Sequence, residues 1–419
     1  MREMQKKFTD LFFVILSLPA TAIGFALSVQ IQCLGWILNT QLGYDLHQIG
    51  LVWLAGPLAG ILGQVIVGII SDNTWLWGGR RRPYIIIGGI VGGIMLVLLP
   101  NLGYIKNAFH LEGTALLIVA TIIALVFDLS INVSFNPTRT LITDVTPEGE
   151  LRTKGYAWMQ TISGFFGVLA YLIGAFLGNI QLIYLAILIV PLFTVVPTFF
   201  IDEPKELVSQ DGNNQASETN LPEFLKICFA HAFTWVGIQT MFIYTFGFIK
   251  EVVMGFKITQ TLTSAQNDEI GLATGISFAI LNTIGFLFPK FVLEPVSRKI
   301  GKVWTHKLAV LVMAVAYLVT FLFVKDKISL FVMMAIIGIG WASVVSIIFA
   351  IVSEVVNKAK MGLFMGLFNL AVVIPQILSS YLGGWINTFT DKSYIFLISS
   401  VTLFISFVIW LFVKNTENK

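Results

Sequence analysis

Apolar residues run through this chain in long stretches, and the polar residues that interrupt them are spaced almost regularly. A helix that crosses a bilayer needs about 20 mainly apolar residues. Twelve stretches meet that length, roughly 11–39, 48–71, 83–105, 114–140, 156–178, 181–201, 223–250, 270–293, 305–325, 328–352, 362–387 and 393–414. Basic residues precede the first stretch, as in a secretory leader. It is too long for one and carries Gln30 and Gln32 within its apolar run, so it reads as a true span. The longest polar segment is 202-DEPKELVSQDGNNQASETN-220, whose composition suits a flexible linker. It divides the chain into a six-span N-terminal bundle (1–201), a linker (202–222) and a six-span C-terminal bundle (223–419).

Composition narrows the class. Of 419 residues 56% are hydrophobic and only 12% charged, whereas a soluble chain carries about a quarter charged. The solvent for most of this surface is lipid. The formal charge of +3 is small and its basic residues are clustered, which argues against nucleic acid as a partner. Lys and Arg in short loops set orientation; with the N-terminus inside, eighteen fall on inner loops and tails against six outside. Both termini are expected in the cytoplasm. Cys33 and Cys228 lie in apolar runs and offer neither a disulfide framework nor a metal site. No cofactor is expected, and a P-loop is absent from the sequence.

The inner loops repeat. The stretch 68-GIISDNTWLWGGRRRP-83 has an acid at a helix end, then glycine and a basic cluster; 291-FVLEPVSRKIGKVW-304 follows the same plan. Likewise 144-DVTPEGELRTKG-155 answers to 354-EVVNKAKMG-362. Two six-helix halves with matched inner loops mark a transporter that rocks about a midplane site. The expected fold is an all-α membrane protein with twelve transmembrane helices in two pseudo-symmetric six-helix bundles.

Polar residues inside the apolar spans are the candidate chemistry. In 128-DLSINVSFNPTRTLITD-144, Asp128 and Arg139 share one helix face about 16 Å apart along the axis, with Asn132 and Asn136 between them. An aspartate at a helix centre costs about 2.5–3.5 kcal/mol on insertion scales, a cost that favours its protonated form. Such a carboxyl can carry a proton and accept hydroxyl hydrogen bonds, or serve as a structural acid paired with another helix. Arg139 can act on substrate, snorkel to the membrane edge, or pair with Asp144 or Glu354. Further substrate-binding candidates are Gln30, Gln64, Gln160, His231, Trp235, Gln239, Asn282 and Asn369; Trp341 and Gln376 join them. Aromatic faces stack on apolar C–H surfaces and amides bind hydroxyls. His231, Trp235 and Gln239 are spaced i, i+4 and share a face. Candidate gating residues are Asp72, Arg80, Arg81, Arg82, Asp144 and Arg152, with Glu294, Arg298, Lys299 and Glu354 as their counterparts.

With these blocks in view, the chain resembles the major facilitator superfamily, whose inner loop after helix two carries a G…D…G-R-[K/R] motif. Within it, the chain is similar to the sucrose–proton symporters of plants and their animal and bacterial relatives, near the glycoside-pentoside-hexuronide group. The matching stretches are 53-WLAGPLAGILGQVIVGIISD-72 with 79-GRRRP-83, then 128–144, 294-EPVSRKIGKVW-304 and 365-MGLFNLAVVIPQ-376. The resemblance implies the major facilitator fold, import of a disaccharide or glucoside such as maltose or sucrose by proton symport through alternating access, and a monomer in a cell (inner or plasma) membrane. It places a proton- and sugar-coupled aspartate at Asp128 and a transport arginine at Arg139. His47, where relatives also carry a histidine, reads as a solvated outer-loop residue. Two departures leave the sugar open: the seventh span ends 242-FIYTFGFIKE-251 without the plant acid pair, and Ala273 stands where plant members place an arginine. A monosaccharide, another organic solute, export, sodium coupling, a non-transporting sensor and a membrane enzyme are the competing readings.

Overall fold

In hydrocarbon a backbone N–H or C=O has no water to bond, so each apolar stretch must satisfy its own backbone, and a helix does this within one segment. A computed structural model describes residues 2–63, 74–147, 150–205, 219–357 and 361–414. Among these, twelve helices are long and apolar enough to cross a membrane. They are α1 (Asp10–Leu42), α2 (Leu46–Gly63), α3 (Arg82–Ala108), α4 (Gly113–Val145), α5 (Glu150–Phe176) and α6 (Asn179–Thr198). The second six are α7 (Leu221–Val253), α8 (Ser264–Ile300), α9 (Lys302–Phe323), α10 (Lys327–Val355), α11 (Phe364–Thr388) and α12 (Tyr394–Leu411). The protein is an all-α integral membrane protein. Several helices outrun their apolar windows: α4 continues to Val145 and α8 to Ile300, carrying Asp144 and Glu294 on helical ends. Hydropathy reports where lipid ends, while the backbone ladder continues into the polar zone.

The chain divides into two compact units. One comprises Met1–Gly43 and Val52–Gln210, the other Tyr44–Leu51 and Asp211–Lys419. The polar linker predicts a single bundle for all of 1–201; the structure packs the start of α2 in the second unit instead. Within the first unit α1 packs on α5 and α6, and α3 on α4 and α6. Within the second, α7 packs on α11 and α12, and α9 on α10 and α12, the same neighbours displaced by six helices.

Small residues set the closest approaches, as expected where lipid supplies no hydrophobic drive between helices. On α3 the run Gly88, Gly89, Gly92, Gly93 is one such face; a Cβ at Gly88 would lie 1.9 Å from Ser134 Oγ of α4, and one at Gly89 1.7 Å from Thr194 Oγ1 of α6. In the second unit Gly50 faces Ser380 O at 2.2 Å and the Tyr244 hydroxyl at 2.4 Å from its would-be Cβ, and Gly383 faces Leu46 O at 2.3 Å. The Tyr244 hydroxyl donates to Ser379 O and Ser380 O, each at 3.0 Å. His47 is therefore no loop residue: it lies in the first turn of α2, half-buried beside Gly384.

At the end of the first unit that carries the arginine cluster, the Glu203 carboxylate accepts from three successive backbone N–H groups, those of Arg80, Arg81 and Arg82, at 2.7, 2.7 and 2.9 Å. It satisfies donors that the start of α3 leaves without helical partners. Gly79 makes room for it, since a Cβ there would meet Glu203 Oε1 at 2.4 Å. In the second unit the last carbonyls after α12 are held by lysines: Lys226 donates to Phe412 O at 2.9 Å and Lys307 to Val413 O at 3.1 Å.

Candidate functional site

Each unit gathers its own polar residues. In the first, Asp128 sits at the middle of α4 and is only 4% exposed. Helical continuation through a span of Val, Ile, Leu and Phe carries it to that depth. There Gln30 of α1 bonds its carboxylate, the amide Nε2 donating to Oδ2 at 2.9 Å. On its other side α2 presents Gly56, whose would-be Cβ lies 3.6 Å from the same oxygen. The carboxyl is thus enclosed by one donor and by a position with no side chain. Gln30 also lines a small apolar crevice with Cys33, Leu96 and Phe127.

Along the stripe, Asn132 Nδ2 turns back to donate to Asp128 O at 2.8 Å, and Asn136 is half-buried. Arg139 is exposed, with its guanidinium 4.1 Å from the centre of the Phe135 ring. It has no carboxylate partner among the described residues. Of the two acids within its expected reach, Asp144 accepts instead from Arg81 Nε at 2.9 Å, in a pair that is 6% and 8% exposed. Glu354 is bonded by Lys302. Arg81 reaches Asp144 because the Glu203 clasp fixes the backbone from which it projects.

The remaining gating candidates separate by neighbourhood. Arg152 donates to Thr143 O and Thr146 O at the end of α4, and the Arg80 guanidinium donates to Lys205 O at 3.1 Å. Arg82 donates to Ile201 O at 2.7 Å. Glu294 and Arg298 form an exposed pair one turn apart on α8, a kind worth little in energy, and Lys299 is exposed beside them. Asp72 and Gln64 lie outside the described residues.

In the second unit the face expected from i, i+4 spacing on α7 is present. Trp235 Nε1 donates to His231 Nε2 at 2.8 Å, and Gln376 Nε2 of α11 donates to Gln239 Oε1 at 3.3 Å. Trp235 meets Trp341 of α10 edge-on, with centroids 6.1 Å apart and planes at 83°. Phe242 stands against Trp341 at 5.3 Å and stacks on Phe278 of α8 at 5.7 Å. Gly285 of α8 lets the Trp341 ring close in, since a Cβ there would lie 2.6 Å from it. Phe242, Phe278 and Gly285 are not marked in the sequence, because nothing local distinguishes them from core. Asn282 bonds back to Phe278 O at 2.9 Å. Asn369 is half-buried and Gln160 exposed, and neither makes a side-chain hydrogen bond among the described residues.

Taken separately, each unit offers groups suited to a polyol: in the first, amides and a carboxyl that can bond hydroxyls, and in the second, an amide pair and flat aromatic rings for C–H faces. Comparison with known proteins agrees in kind. A sucrose transport protein (SUT2) of Oryza sativa subsp. indica is 26% identical over 424 residues, covering 86% of this chain and 84% of that protein. A general alpha-glucoside permease of Schizosaccharomyces pombe is 29% identical over 261 residues, 53% of this chain and 47% of its own. Among solved structures, the nucleoside transporter NupG matches with TM-score 0.70 at 15% identity over 96% of this chain and all of that one. The inward-open xylose transporter XylE from E. coli matches with TM-score 0.71 at 14% identity over 97% of both; likeness at such identity speaks for the fold alone. These relatives are transporters, which removes the membrane-enzyme reading. The sequence profile of the Major Facilitator Superfamily matches residues 14–380 and 268–419, and this chain belongs to that family.

Proposed function

We propose that this protein imports a sugar, a disaccharide or other glucoside, in symport with a proton, by exposing one site alternately to the two sides of the membrane. The observation that carries the reading is Asp128: a carboxyl buried at the middle of a membrane helix, bonded by a neutral amide and with no cation paired to it among the described residues. A permanently structural acid at that depth would be expected to have a cationic partner. The names of the relatives, a sucrose transporter and an alpha-glucoside permease, favour a glycoside as cargo. Ala273, buried and apolar, supplies no polar contact of its own, which favours a glycoside other than sucrose, or a monosaccharide. Both termini lie in the cytoplasm in this reading, and the working unit is a monomer.

The energy is adequate. Each proton moving down a potential of 100 mV releases about 2.3 kcal/mol, enough for a roughly fiftyfold sugar gradient. The test is uptake of radiolabelled maltose and sucrose into proteoliposomes with an alkaline interior. The expected result is accumulation that a protonophore collapses. Asp128→Asn is expected to lose gradient-driven accumulation while retaining sugar exchange, because the amide cannot take up and release H⁺. Accumulation by that variant at the wild-type level would defeat the assignment, as would a sodium requirement at neutral pH.

A further inference from the structure

Behind the aromatic wall of the second unit lies a buried histidine. His231 is 1% exposed and its ring lies flat on Phe368 of α11, with centroids 4.6 Å apart and planes at 19°. Its Nε2 accepts the indole N–H of Trp235; an imidazole nitrogen that accepts is unprotonated, so the proton of the neutral ring sits on Nδ1. Trp235 is half-buried. An indole turns about two side-chain torsions, and a short bond from its N–H to a clamped ring leaves one orientation, edge-on to Trp341. With its N–H engaged, Trp235 has only its π-face to offer, and that face suits the C–H side of a pyranose rather than a hydroxyl.

We propose that His231 is a positioning residue, not a sugar ligand: it holds Trp235 so that a pyranose ring meets the indole face. The proposal rests on the sugar-transport reading above. It separates the roles of two residues one turn apart. Trp235 touches sugar; His231 acts only through Trp235.

The test uses the full-length protein in proteoliposomes with radiolabelled maltose in exchange mode. His231→Phe keeps an aromatic ring against Phe368 but has no acceptor; its KM is expected to rise about three- to tenfold, with kcat within about twofold. His231→Gln, whose Oε1 can accept the indole N–H, is expected to recover most of that loss. Trp235→Phe also raises KM, and because phenylalanine has no N–H, adding His231→Phe to it is expected to raise KM no further. The fluorescence of Trp235, taken as wild type minus Trp235→Phe without sugar, is expected to shift in His231→Phe and return in His231→Gln.

An unchanged KM in His231→Phe, or the same rise with Trp235→Phe as without it, would overturn the proposal, since the histidine would then act through general packing. A KM unchanged in Trp235→Phe would show that the aromatic wall does not face sugar, and the proposal would fall with it. If the wild type carries no maltose or sucrose, the sugar reading fails, and the fluorescence series alone then reports whether the tether exists.

Discussion

Asp128 and Gly56 meet where α4 passes α2, and a missing side chain matters there as much as the carboxyl. A Cβ at Gly56 would sit at ordinary contact distance, 3.6–3.8 Å, from the three carboxyl atoms of Asp128. Gly56→Ala is therefore expected to fold and to transport. Gly56→Leu is expected to fold but to lie across the carboxylate, cutting gradient-driven accumulation at least tenfold, roughly the effect of blocking a group that transfers the proton. Expression level with uptake in the two variants checks this, and equal accumulation in both would show that protons do not approach from the α2 side. That Asp128 would be a buried carboxyl at mid-helix was legible in the sequence, because it stands at the centre of an apolar span. That Gln30 bonds it, and that Asp144 belongs to Arg81 rather than Arg139, was not legible. Such pairings are set by which helices pack together, and no local pattern records that.

At the scale of the elements, bilayer thickness made the twelve spans readable, since a window of fixed length and polarity has to be filled. The ends were less readable, because helix propagation does not stop where lipid does. The connections between elements were hidden almost entirely. Glu203 reads from sequence as one acid in a polar linker, yet it holds three N–H groups at the start of α3. Glu203→Ala leaves those donors without their acceptor and is expected to destabilise the protein by about 1–3 kcal/mol. Glu203→Gln keeps one acceptor oxygen and is expected to cost less. Thermal-shift midpoints in detergent decide between them, and a neutral Glu203→Ala would show that water replaces the carboxylate. Asp144→Asn breaks a buried pair and is expected to cost more, about 3–5 kcal/mol.

For the whole molecule, the polar linker marks a boundary that the packing does not fully respect. Tyr44–Leu51 is joined covalently to α1 through Gly43, whose φ of 71° makes the turn, yet its packing partners are Tyr244, Gly247, Ser380 and Gly383. Leu46 and Ile49, both fully buried, take their cover from that company. Expressed on its own, residues 1–205 would bring those side chains into the bilayer without it. That fragment is expected to aggregate or be degraded, whereas residues 219–419 would be left with an unfilled groove along α7 and α11. Supplying a peptide of residues 40–56 is expected to raise the melting temperature of the 219–419 fragment, and no rise would show the groove closes by itself. Domain exchange between homologues meets the same constraint: a chimera joined at the linker inherits a mismatched wedge, and one whose crossover also carries 44–51 with the second half does not.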